Sequence, residues 1–172
     1  MSLHQYSTFE PMPPTQAHHI IWNVLLADKQ IQLTQSVLDA EKICHIVAIL
    51  PHENDFLQLN GEIPLFPYTV LEYGDKHDTV INKEEFEKCG SFIDTIAKKE
   101  GNRNVLVFCN NGYHRSIPFL VYYLTAFHPD EIPCVEKALK IILSQVDKEN
   151  FNDILQGMVE NISNLLHSRE LL

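Results

Sequence analysis

From residue 18 onward, short unbroken apolar runs alternate with longer stretches in which apolar residues return every three or four positions. The first run, residues 18–26, predicts a strand. Ile31, Leu33, Val37 and Leu38 keep mostly helical spacing and predict a helix over 31–42. Residues 44–50 form a continuous apolar run closed by Pro51, the pattern of a strand buried on both faces. Residues 63–71 are also largely apolar, but Pro64 and Pro67 interrupt them, which confines this piece to an edge strand or a loop-like connection. A polar stretch over 72–79 follows. Asn82 and Glu85 then make a capping pair ahead of Phe86, Cys89, Phe92, Ile93 and Ile96, an amphipathic helix that stops near Gly101. Residues 104–108 predict a second buried strand. Ser116 to about Phe127 predicts a helix with Ile117, Leu120, Val121 and Leu124 inward. Two further helices, about 131–147 and 152–168, carry Val135, Ala138, Leu139 and Ile142, then Leu155, Met158, Ile162, Leu165 and Leu166.

A helix followed by a continuous apolar strand points to a parallel sheet covered by helices, so the expected class is α/β, with a short, mostly parallel central sheet flanked by helices. The length of 172 residues fits one domain. Residues 1–17, rich in Pro, Ser, Thr and Gln, read as a mobile or loosely docked N-terminal arm, 18–168 as the single domain and 169–172 as a tail.

The chemistry gathers at 105–116. An apolar run delivers Cys109 into a short loop, Asn110, Asn111, Gly112, Tyr113 and His114, which ends at Arg115 and opens a helix at Ser116. Backbone N–H groups converge in such a loop, and a helix N-terminus is partly positive, so an anion is favoured there. The same field favours a thiolate over a thiol. An arginine at the end of the loop can fork two oxygens of a phosphate in a way lysine cannot. Gly112 lets the backbone approach the anion closely. Ser116 is suited both to cap the helix and to hydrogen-bond the sulfur.

Cys109, Gly112, Arg115 and Ser116 resemble the Cys-x5-Arg-Ser/Thr signature loop of the protein tyrosine phosphatase superfamily, and the length and flanking segments look most like its small dual-specificity phosphatases. The resemblance spans roughly residues 18–168 and implies a dual-specificity phosphatase-like fold. It also implies that Cys109 attacks phosphorus to give a phosphocysteine, that Arg115 binds the transferred group, and that Ser116 stabilises the departing thiolate. Residues 110–115 would line the phosphate site. An aspartate upstream of the cysteine protonates the leaving oxygen in this family. Phe92-Ile93-Asp94 resembles a recurrent family segment, and counting back from it puts the acid near Lys76, which favours Asp75 over Asp78. Phe108 departs from the family, which usually has histidine before the cysteine. Phenylalanine supplies neither that residue's hydrogen bonds nor its charge.

Composition narrows the partners. A formal net charge of −10 argues against nucleic acid or anionic membrane as the main partner. No apolar run of about 18 residues is present, so no membrane span is expected. No secretory pattern opens the chain, and a cytoplasmic address, extending to the nucleus, follows by default. Cys44, Cys89 and Cys134 have neither zinc nor disulfide spacing and read as buried small apolar residues. His18-His19 lacks further ligands at metal spacing and reads as ordinary rim histidines. No metal or cofactor is expected, because a thiolate and an arginine can do what a metal does elsewhere. The expected substrate is a phosphorylated protein or peptide. It carries phosphotyrosine, and phosphoserine or phosphothreonine if the pocket is shallow enough. Two alternatives remain: a phosphate-binding pseudophosphatase or scaffold with little turnover, and a phosphatase for inositol phosphates or other non-protein phosphates.

Overall fold

The structure, a computed structural model, describes residues 16–51, 66–73, 81–99, 103–109, 113–147, 149 and 151–170. The expected N-terminal arm therefore lies, but for its last two residues, outside the described residues, as do Asp75, Asp78, Asn110, Asn111 and Gly112.

Five strands make one sheet: β1 (Ala17–Ile21), β2 (Val24–Ala27), β3 (Ile43–Leu50), β4 (Tyr68–Glu72) and β5 (Asn104–Cys109). Their order is β1-β2-β5-β3-β4. β2, β5, β3 and β4 run parallel, and only β1 is antiparallel to its neighbour. The sheet is thus mostly parallel, as expected, with one antiparallel edge. The apolar run over 18–26 is not one strand but a hairpin, folded at Trp22 and Asn23, with Trp22 at φ 45°. Its continuous hydrophobicity conceals the turn, because both arms contribute apolar residues to the sheet. The proline-interrupted run ends in β4, an edge strand paired only to β3.

Among the described residues, five helices surround the sheet: α1 (Gln35–Ala40), α2 (Lys83–Lys99), α3 (Ser116–Phe127), α4 (Val135–Leu143) and α5 (Asp153–Glu170). Side-chain caps start α1 and α2, whereas α3 and α4 have none. The Thr34 hydroxyl accepts the Val37 N–H at 3.3 Å and starts α1 later than the apolar spacing alone predicts. Asn82 Oδ1 accepts the Glu85 N–H at 3.2 Å ahead of α2, whose first turn carries Glu84 and Glu85, favourable at a positive helix end.

The period-two alternation of β5 divides the interior. Val105, Val107 and Cys109 face the larger cluster, built with α2, α3, α4 and α5. Leu106 and Phe108 face the smaller one, with Leu33, Leu38 and Leu50 on the α1 side. α3 is the most enclosed helix: every residue from Ser116 to Leu124 is buried. The amphipathic pattern predicts one inward face, but α2, α4 and α5 cover the others, so Phe119, Tyr122 and Tyr123 are interior as well.

Of the three other cysteines, only Cys89 matches the expected burial. Cys44 is half-buried, and Cys134 is exposed at the start of α4. No described helix is long and apolar enough to cross a membrane.

Candidate active site

β5 runs into the middle of the sheet and ends at Cys109, which is 8% exposed. Seven residues later α3 starts, so strand and helix point their ends at one spot. Cys109 Sγ lies 3.1 Å from Ser116 Oγ, both buried. The hydroxyl stands where it can donate to a sulfur anion, a favourable arrangement because a charge-assisted hydrogen bond is about twice as strong as a neutral one. Arg115 directly precedes α3 and is only 2% exposed, an uncommon burial for a guanidinium. A helix N-terminus and a buried arginine thus follow the sulfur within seven residues of chain. Such a place compensates an anion.

Tyr113 and His114 are also placed, and each side chain makes a hydrogen bond to a residue far away along the chain. Tyr113 holds φ 67°, left-handed backbone that a bulky residue adopts only when its surroundings enforce it. Its side chain is 3% exposed, and its hydroxyl donates to Asp28 Oδ1 at 3.1 Å and accepts the Lys29 N–H at 3.2 Å. The ring thus reaches across to the end of β2 and anchors the loop. His18 Nε2 lies 2.9 Å from the same Asp28 oxygen. Burial pushes the Asp28 carboxyl up, but hydrogen bonds from the Gln30 N–H, His18 and Tyr113 outweigh it and hold the group below its ordinary 3.8. Burial first, and then the neighbouring Asp28 charge, push the Tyr113 phenol up to about 12. On the other flank the Asn152 amide donates to His114 Nε2 at 3.2 Å, while Asn152 Oδ1 caps α5 through the Leu155 N–H at 3.0 Å. The signature loop is therefore tied to the β2 end through Tyr113 and to the α5 end through His114.

Sequence reasoning missed Asp28 and His18 as supports of this loop. Asp28 is 85 residues from Tyr113 along the chain, and nothing in either local pattern pairs them. His18 proves to be a carboxylate partner, and no group of His, Cys, Asp and Glu suited to a metal occurs among the described residues. Phe108, on the opposite face from Cys109, packs 5% exposed among the α1-side residues.

Compared as a whole, the fold matches solved structures. The human tyrosine phosphatase-like serine/threonine/tyrosine-interacting protein superposes with a TM-score of 0.70 at 24% identity, over 91% of this chain and 98% of that one. This is the fold of the small dual-specificity phosphatases. A mouse putative dual specificity phosphatase complexed with zinc tungstate gives a TM-score of 0.68 at 16% identity, over 96% of each chain. DUSP15 gives 0.61 at 19%, over 89% of this chain and 96% of that one. By sequence, no family model and no curated protein matches the chain. In the dual-specificity phosphatase fold, then, Cys109, Arg115 and Ser116 occupy the strand–loop–helix junction that the sequence singles out.

Proposed function

We propose that the chain is a cysteine-dependent phosphatase acting on phosphotyrosine, and on phosphoserine or phosphothreonine where they reach, in proteins. One observation carries the reading: the 3.1 Å approach of Cys109 Sγ to Ser116 Oγ, with Arg115 buried at the head of the same helix. In the first step the Cys109 thiolate attacks phosphorus. The bond to the leaving oxygen breaks, and Asp75 transfers its proton to that oxygen. Arg115 holds two phosphoryl oxygens and neutralises charge on the transferring group. Water then attacks the phosphocysteine and gives its proton back to Asp75. Inorganic phosphate departs, and the Ser116 hydroxyl donates to the returning thiolate. The main-chain amides of residues 110–115 bind the phosphoryl oxygens. No step calls for a metal or a cofactor.

Two specific observations favour a second reading, a phosphate-binding scaffold with little turnover. Phe108 stands where the family that the signature loop resembles usually has histidine, and one fold neighbour is named as a phosphatase-like interacting protein. Another neighbour was solved with zinc tungstate, whose anion resembles phosphate in shape and charge, which fits a phosphate-binding loop under either reading.

Hydrolysis of p-nitrophenyl phosphate and of a phosphotyrosine peptide separates the two. The expected result is vanadate-sensitive, EDTA-insensitive turnover that Cys109→Ser reduces to background and Asp75→Asn lowers about 100-fold or more, as removal of a general acid does. Wild-type turnover equal to that of Cys109→Ser, with tight phosphopeptide binding retained by both, refutes the enzyme in favour of the scaffold.

A further inference from the structure

At the end of the sheet opposite Cys109 lies a cavity of about 610 Å³, lined among others by Trp22, Asp94, Ala97, Tyr123, His128 and Glu131. The Asn23 carbonyl accepts the Val105 N–H at 2.8 Å, which fixes this corner at the start of β5. Cys109 is four residues farther along the strand, roughly 13 Å away at 3.3 Å per residue. An occupant here leaves the signature loop open.

The cavity is built, not merely left over. Asn23 Nδ2 donates to the Ala97 carbonyl at 3.1 Å and ties the hairpin to α2. The Asp94 carboxylate accepts from the Tyr123 hydroxyl at 3.0 Å and stands 2.9 Å from His128 Nε2. The indole of Trp22 lies against the His128 ring, centroids 4.1 Å apart. Trp22 sits at φ 45° and remains 42% exposed, one of two exposed large hydrophobic residues among those described. A tryptophan held in left-handed backbone, at a cost of about 1–3 kcal/mol, and then presented to solvent is a feature that invites a functional reading.

Its lining is richer in carboxylates and helix carbonyl ends than in cations, although His128 pairs with Asp94 and Lys137 donates to the Glu131 carbonyl at 2.8 Å. α2 and α3 both end here, at Ala97 near the last turn of α2 and at His128, the C-cap of α3, so the negative ends of two helix dipoles converge. Asp94 adds a carboxylate in the wall and Glu131 an exposed one at the rim. An exposed aromatic face beside carboxylates and carbonyl ends suits a planar, weakly hydrated cation that can stack and donate at once. The volume lies in the range of sites for small ligands and peptide side chains, and the formal charge of −10 draws basic partners.

We propose that this cavity docks an arginine side chain presented by a partner protein. The guanidinium stacks on the Trp22 indole and donates towards Glu131 and Asp94, so that the partner is held while Cys109 stays accessible. The inference stands apart from catalysis at Cys109.

Trp22 is the only tryptophan in the chain, so its fluorescence reads this corner alone. The full chain is titrated at low salt with acetyl-Gly-Arg-Gly-amide and, separately, with acetyl-Gly-Gln-Gly-amide. The expected result is a saturable change with the arginine peptide and none with the glutamine peptide. Glu131→Gln should weaken the response about two- to fivefold, as should raised salt, as for a solvent-exposed charge pair. Backbone amide resonances of Ala97 and His128 should move with the titration, while those of residues 113–116 stay still. Equal responses to both peptides, no saturable response, indifference to Glu131→Gln, or shifts centred on 113–116 would each overturn the proposal.

Discussion

Replacing Tyr113 by phenylalanine removes one hydroxyl and keeps the buried ring. That hydroxyl donates to Asp28 at 3.1 Å and accepts the Lys29 N–H at 3.2 Å. Burial keeps the phenol protonated to about pH 12, so it is a donor under any assay condition. Asp28 is ionised above its ordinary 3.8, because its hydrogen bonds hold the folded value lower still. The pair is therefore charge-assisted at neutral pH, a class of bond that contributes roughly 1.5–3 kcal/mol. Asp28 is 19% exposed and keeps His18 as a second partner, which pulls the expectation down to about 1–2 kcal/mol. For a chain of this size each kcal/mol moves Tm by about 2–4 °C, so Tyr113→Phe should melt about 2–8 °C below the parent at pH 7. The linkage has a definite sign: the folded carboxyl value is depressed, so the contribution is full above about pH 4 and fades as pH falls through the folded value. A function-linked effect accompanies the loss. Without its tether, the left-handed backbone at Tyr113, at φ 67°, is free to relax, so kcat/KM on aryl phosphates should drop with the stability. A double-mutant cycle with Asp28→Asn, followed by thermal melts, measures the pair directly and should give a coupling of about 1 kcal/mol. Unchanged melting of Tyr113→Phe together with strictly additive effects would refute the argument that this bond anchors the loop.

Three further outcomes follow from the geometry. Exposed Cys134 should be alkylated readily by iodoacetamide at pH 8. Buried Cys89, pushed up to about 11 by burial and then by Glu85, should label only on unfolding, a contrast that peptide mass spectrometry reads directly. Gly90→Ala, which in an open helix adds stability, should instead cost about 1–3 kcal/mol, because an added Cβ meets Phe127 Cε2 at 2.4 Å; a urea midpoint at or above the parent's contradicts this. Burial holds His45 below its ordinary 6.5, so the unfolded chain takes up that proton first. The urea midpoint should fall as pH drops below about 6.5, by less in His45→Phe than in the parent, and an equal fall in both counts against it.

What was legible locally was read locally. The unbroken apolar run before Cys109 and the glycine, arginine and serine after it identify a strand, a tight loop and a helix start without any knowledge of neighbours, because each depends only on residues a few positions apart. The α2 cap at Asn82 and the edge character of β4 are equally local. The strand expected over 18–26 fails at Trp22 because apolar residues can line both arms of a hairpin, so hydrophobicity carries no turn signal there. The enclosure of α3 fails for another reason: which faces of a helix are covered depends on how many partners pack around it, and here α2, α4 and α5 together leave nothing exposed from Ser116 to Leu124.

The sequence by itself determined the class of fold, the place of the sulfur–guanidinium loop and the acidic character of the chain, since these follow from short-range pattern and composition. Only the tertiary structure decided that Tyr113 bonds Asp28, that Phe108 lies on the face opposite Cys109, and that Trp22, Asp94 and His128 meet at the far end of the sheet. The physical reason is the same in each case. Strand alternation and parallel pairing bring residues tens of positions apart into hydrogen-bonding range, and no local propensity encodes which of them will meet.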